Sequence, residues 1–329
     1  MANLQTRATL GDLGKRGLGP DFEDVFEQNI SRYQGRDVAE KIFSFLNTDK
    51  SILRTTGLTG YGLPEEFEEG DPFPTTVNVK TAETKYTIRD YGKAVEVTDD
   101  AAKDRVKLGK KLDEMANLAR GVDMQEVKAA FANLNGGFVT TAKINGVSLH
   151  RYNDEATFSA THARADGGPS QSNVSAGAIA LTELNLETLR LQLVKQLTDN
   201  GLPLVDLGAL MLVVPDDLIK NAVIFTQSQY RPTTANNDLN FYASSNGKID
   251  AIGARWLNAT SGVTGSATAW FLLSRLSGMD SPLRVYRQGG PEFQWSERDS
   301  KTWNRTAAVK HRYAVGNSEW KGMVASAGA

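Results

Sequence analysis

Residues 73–134 read FPTTVNVKTAETKYTIRDYGKAVEVTDDAAKDRVKLGKKLDEMANLARGVDMQEVKAAFANL, a passage from strand chemistry into helix chemistry. In its first part Val77, Val79, Tyr86, Ile88, Val95 and Val97 are spaced by two within short segments. That spacing predicts strands over 73–98, with turns near 81–84 and at Arg89-Asp90-Tyr91-Gly92. Two strands of about 12 residues reach about 40 Å. An isolated hairpin is marginal in water, and this one is polar on both faces. It is therefore expected to gain its stability by lying on another molecule. The second part is helical: Leu108, Leu112, Met115, Ala119 and Val122 form one stripe, continued by Val127, Ala130, Phe131 and Leu134. A helix over 106–134 spans about 43 Å, longer than most.

Charge brackets this passage. Upstream lies a dense acidic run, Glu65, Glu66, Glu68, Glu69 and Asp71. The start of the helix is basic, with Lys103, Arg105, Lys107, Lys110 and Lys111 against Asp104. Such a run reads either as a solvated helix face or as the docking partner of the acidic run, in the same chain or a neighbour.

Toward the N-terminus, residues 1–20 are Gly-rich and predict an extended arm. Asp21 is placed to cap a helix carrying Phe22, Val25, Phe26, Asn29, Ile30 and Tyr33. A second helix is expected over 37–47, and 51–71 is turn-rich. Downstream, 135–177 is polar, and a helix over 183–198 is capped by Thr182. Strands are expected at Leu210–Pro215, Ile249–Leu257 and Ala269–Leu273, with a short helix behind Asp216. The tail from 282 predicts several more strands, so the fold class is α+β.

Composition excludes several kinds of chemistry. The chain has 329 residues, 37 basic against 39 acidic side chains, and a net charge of −2. A near-neutral balance argues against a protein that grips DNA through a basic face. Zero cysteines exclude disulfides, thiolate catalysis and thiolate metal sites. The three histidines, His150, His162 and His311, form no HxxxH or HExxH pair, so neither metal nor cofactor is expected. No run approaches the ~20 apolar residues of a membrane span. The first residues lack an apolar signal core, so no secretory leader is expected.

Catalytic motifs are equally sparse. No GxxxxGK[ST] loop and no GxSxG elbow occur. Ser159, His162 and Asp166 form the best available nucleophile–base–acid set, the basis of a hydrolase reading. So short a segment cannot readily aim three side chains into one line, and the alternative is ordinary loop residues. The five acids of 65–71 could act as paired carboxylates on a glycoside, but no aromatic platform adjoins them. Trp256, Trp270, Trp295, Trp303 and Trp320 all fall in the last quarter, as a base-stacking surface or as packing.

The order of parts resembles the tailed-bacteriophage major capsid proteins of the Hong Kong 97-like fold. Leu58-Thr59-Gly60-Tyr61-Gly62-Leu63-Pro64, leading to Glu69-Gly70, is similar to the start of their extended loop. Ala94-Val95-Glu96-Val97-Thr98 resembles that loop's return into a spine helix. Asn145-Gly146-Val147-Ser148-Leu149 with Thr161-His162 is similar to a stretch where relatives often have Asp-Gly and a histidine. Leu210–Pro215 with Asp216-Asp217-Leu218 resembles the strand-into-helix step of their axial domain. Trp270-Phe271-Leu272-Leu273 resembles a later strand of that domain. Tyr313-Ala314-Val315-Gly316-Asn317-Ser318-Glu319-Trp320-Lys321-Gly322 resembles their C-terminal signature, with Lys321 where arginine is common.

The resemblance implies an N-terminal arm and helices over 1–50, an extended hairpin loop over 51–100 and a peripheral domain over 101–179. It implies an axial domain over 180–281 and C-terminal strands over 282–329 that return to the peripheral domain. It also implies no active site, and self-assembly into pentamers and hexamers around double-stranded DNA. The implied partners are the chain itself, a separate scaffolding protein, a portal protein, a decoration protein and packaged DNA, with no membrane. The implied location is the virion capsid, assembled in the bacterial host cytoplasm. An encapsulin-type nanocompartment shell, with the same fold and a protein cargo, is the alternative. Under either reading, the acidic 65–71 run is expected to meet cations of an adjacent subunit. These are either 103–111 or Arg298, Lys301, Arg305, Lys310 and Arg312.

Overall fold

Two sheets and one long helix carry the fold. The computed structural model describes residues 18–30, 35–58, 63–64, 66–68, 72–75, 80–144, 147–204, 207–230, 238–244, 247–258, 265–276 and 281–329. The N-terminal third holds α1 (Leu18–Ile30), α2 (Gly35–Ile42), β1 (Ser44–Asn47), β2 (Ile52–Leu58), β3 (Lys80–Thr87) and β4 (Arg89–Val97). Then come α3 (Asp99–Lys103), α4 (Arg105–Asn135), β5 (Lys143–Ile144) and β6 (Val147–Ser148). A second module follows with α5 (Glu183–Val194), β7 (Leu207–Val214), α6 (Ile219–Gln227), β8 (Ile249–Gly253) and β9 (Trp270–Leu276). The chain ends in β10 (Leu283–Arg287), β11 (Glu292–Trp295), β12 (Arg305–Asn317) and β13 (Met323–Ser326). This mixed helix-and-sheet fold is the expected α+β class.

Helix α4 is the spine that the stripe of apolar residues predicts. Asp104 caps it, its carboxylate accepting from the Val106 and Lys107 amides at 2.9 and 3.4 Å. Its first half buries Leu108, Leu112, Met115 and Ala119 against α1, β4 and β12, where Phe22 lies 5.1 Å from the Trp295 ring. Its second half buries Val127, Ala130, Phe131 and Leu134 against α2 and both sheets. Each of the larger side chains, Leu, Met, Val and Phe, contributes about 1.5–3 kcal/mol.

The expected strand chemistry is present over 80–97, not at the described residues 72–75, the expected turn near 81–84 lies inside β3, and the pairing differs from a local hairpin. Strand β3 pairs with β2, from Ile52↔Thr87 to Leu58↔Lys80. Strand β4 instead runs antiparallel to β12, from Arg305↔Val97 to Tyr313↔Arg89. The expected turn at Arg89–Gly92 therefore lies inside a strand. Gly92 is there because a Cβ would sit 2.9 Å from the Val309 carbonyl oxygen. Val77 and Val79 lie outside the described residues.

The ribbon's base is held by its own chain rather than only by a neighbour. Thr81, Thr84 and Tyr86 on one face of β3 are buried, and the Tyr86 ring lies 4.8 Å from Tyr286. The second helix also ends earlier than 47, because Ser44–Asn47 pairs in parallel with Leu283–Arg287.

The five-stranded sheet has the order β1-β10-β12-β11, with β4 paired to β12. The four-stranded sheet has the order β13-β9-β7-β8. Helix α5, begun by Thr182 accepting from the Asn185 amide at 3.2 Å, packs with α6 against the four-stranded sheet through Leu186, Leu189 and Leu193. The expected strand Ile249–Leu257 ends at Gly253 and becomes a single 3-10 turn at Arg255–Leu257. The last strand, β13, adds to β9 of the four-stranded sheet, Met323↔Leu273 to Ser326↔Trp270.

Candidate assembly interface

The cations at the start of α4 are engaged locally. Lys103 pairs with Asp99 at 2.5 Å, and Arg298 reaches the same carboxylate at 2.5 Å. The Lys103 hydrogen bond is the main cause holding Asp99 below the usual carboxylate range. Lys107 lies 3.8 Å from Asp104, and Lys111 lies 2.9 Å from Glu114. Lys110 is exposed and makes no ion pair among the described residues. Arg105 opens the helix. Of the second set, Lys310 and Arg312 share Asp90 at 3.0 and 2.6 Å. Their hydrogen bonds lower the Asp90 pKa.

Among the described residues of the acidic run, neither acid is paired with either patch. Glu66 and Glu68 are exposed and make no ion pair among the described residues. Glu65, Glu69 and Asp71 lie outside those residues. Around them apolar groups face outward: Phe73 is 76% exposed, and its ring lies 4.8 Å from Phe67. Leu63 is exposed too. Acid and aromatic surface therefore stand together, exposed among the described residues.

Of the five tryptophans weighed from sequence as a stacking surface or as packing, one stands well out of the core. Trp303 is 56% exposed on the β11–β12 loop and takes a positive φ of 59°. Asp299 locks that loop, accepting from the Lys301 amide at 2.8 Å and the Thr302 hydroxyl at 3.2 Å. The Arg298 guanidinium stands 5.3 Å over the Trp303 ring. The signal was the run Ser296–Arg305, in which one tryptophan sits among charged and turn-forming residues.

Ser159, His162 and Asp166 do not form a catalytic line. His162 is buried, stacked on Trp320 at 4.4 Å and 5°. Its ring nitrogens face Glu155 Oε2 at 3.2 Å and Asn173 Oδ1 at 3.0 Å, not Ser159. Burial lowers its pKa against the pull of those acceptors. Asp166 binds Arg164 and caps the Gly168 amide. The hydrolase reading fails on this geometry. Trp270 and Trp320 are core residues, so the tryptophans do not make one stacking surface. Among the described residues no cluster of His, Asp and Glu is arranged for a metal ion. Nor is any described helix long and apolar enough to cross a membrane.

Known proteins supply the family. The sequence profile of a family described as phage capsid protein matches residues 81–326, most of the chain. The chain belongs to that family, and its role is that of a capsid shell protein. No curated protein sequence matches it. Its fold is similar to that of a chain from Mycobacterium phage Patience, with TM-score 0.52, 11% identity, and 94% and 88% of the two chains covered. It is also similar to the capsid of Cyanophage Pam1, with TM-score 0.51, 12% identity and 87% of each chain covered. The fold is the Hong Kong 97-like one that the order of parts resembled.

Proposed function

We propose that copies of this chain form pentamers and hexamers that tile an icosahedral shell around the double-stranded DNA of a tailed phage. The family match over 81–326 carries this reading. A container's work is contact between copies, with no catalytic step. The near-neutral charge suits a lining that must release its DNA. In this reading 180–281 faces the capsomer axis, while 101–179 and most of 282–329 form the periphery. A scaffolding protein, a portal and a decoration protein complete the particle, built in the host cytoplasm.

The contact we assign to assembly is the acidic loop, Glu65, Glu66, Glu68, Glu69 and Asp71, on cations of an adjacent copy. Those are Lys103, Arg105, Lys107, Lys110 and Lys111, or the set from Arg298 to Arg312. Exposed ion pairs are worth only about 0–1 kcal/mol each, so they set register. Burial of Phe67 and Phe73 supplies strength. Reversing Glu65, Glu66, Glu68 and Glu69 to Lys tests this. Folded, unassembled protein is expected by electron microscopy; normal shells would refute the contact.

A further inference from the structure

A buried polar joint fastens α2 to the spine, and nothing in shell assembly requires it. Asp123 and Glu126, one turn apart on α4, are 2% and 1% exposed. They lie on the line Met115, Ala119, Asp123, Glu126 and Ala130 that otherwise carries core side chains. Arg287 of β10 takes Glu126 with two hydrogen bonds, at 2.5 and 2.6 Å. That fork leaves Asp123 with less: Arg36 of α2 reaches only its Oδ1, at 3.0 Å. The same guanidinium is shared with Glu40 at 2.9 Å. Asp123 Oδ2 has no partner among the described residues.

His311 of β12 is the sixth member. It is 2% exposed, beside Tyr313 at 5.2 Å and paired in register with Tyr91 of β4. Neither ring nitrogen has a partner among the described residues. The charges acting on it are Glu126, Arg287 and Arg36, so two cations oppose one anion. Asp123 meets Arg36, Glu126 and Arg287. Each group is thus buried in its neutral form at the lower cost, one by holding a proton and the other by lacking one.

We propose that Asp123 and His311 are opposed proton sites in one joint, which together keep the attachment of α2 and β12 to the spine steady through mild acid. Burial, with Glu126 adding to it, pushes the Asp123 carboxyl up to about 6. Its folded value exceeds its unfolded one, so its contribution is full at low pH and is lost as pH rises through about 6. Burial moves His311 the other way, below its ordinary 6.5. Its contribution is full above 6.5 and is lost as pH falls through the folded value. Over the same window the two sites act in opposite directions.

Denaturant unfolding of the unassembled full-length chain at pH 7.5 and 5.0 tests this, with Asp123→Asn and His311→Gln each referred to wild type. Between those pH values Asp123 alone favours folding about tenfold. Asp123→Asn is therefore expected to lose about tenfold in folding constant relative to wild type on acidification. His311→Gln is expected to gain over the same step. Profiles parallel to wild type in both variants, or shifts of one sign in both, would overturn the proposal. If Asp123→Asn does not fold, the sign for His311→Gln decides alone: a relative loss or no change overturns it.

Discussion

The Thr84 hydroxyl donates a hydrogen bond to the Asn317 carbonyl oxygen at 3.2 Å, with both residues buried. It joins the base of the β2–β3 ribbon to the end of the longest strand. Thr157 Oγ1 reaches the Asn317 side-chain oxygen, also at 3.2 Å, so one residue gathers three segments. The ribbon thus leaves the body from a fixed root.

Thr84→Val keeps the shape and deletes the donor, leaving a buried carbonyl without it. The expected loss is about 1–2 kcal/mol, read by urea unfolding of unassembled protein. An unchanged midpoint would mean that the ribbon's root does not depend on this bond.

Trp320 is 1% exposed and covers the face of His162. Trp320→Ala is expected to cost about 3–5 kcal/mol, a lost ring plus the cavity left behind. Trp320→Phe should recover part of it. Both can be read by chemical unfolding with circular dichroism.

Next to it Lys321 is buried, its Nζ 2.9 Å from Asp199 and 3.2 Å from Glu319. Burial pulls the amine down, but Glu319 and Asp199 outweigh it and hold the pKa above its ordinary value. Asp199→Ala strands a buried cation with one partner, for an expected loss of about 3 kcal/mol. Lys321→Met with Asp199→Leu removes both charges and should cost less than Asp199→Ala alone.

His150 accepts the Thr87 amide on Nε2 at 3.3 Å, at the junction of β3 and β4. Burial lowers its pKa below 6.5. The folded state therefore binds fewer protons, and this stability, full above 6.5, falls as pH drops through the folded value. His150→Gln keeps an acceptor but cannot titrate. Its thermal midpoint should vary less than wild type between pH 7 and 5.

Local pattern made the helices legible. The 3.6-residue stripe gave α4 to within a residue at each end, and Thr182 marked the start of α5. Strand partners were not legible, because pairing depends on segments far apart in sequence. Gly92 looked like a turn, yet it serves the close approach of Val309 over two hundred residues away. Ser44–Asn47 continued a helical pattern, but parallel pairing with β10 overrode it. For the interface, charge marked the two sequence runs but not their local partners. Asp99, Asp104 and Glu114 stand three or four positions from Lys103, Lys107 and Lys111, a helical spacing that could have shown these pairs; only Asp90 and Lys310 had no such signal. The joint at Asp123 and Glu126 did leave a trace, two acids on an apolar stripe.

Sedimentation velocity of the purified chain over rising concentration tests shell formation most directly. Species at five and six times the monomer mass, or fast-sedimenting closed shells, are predicted. A single compact monomer at every concentration would contradict it.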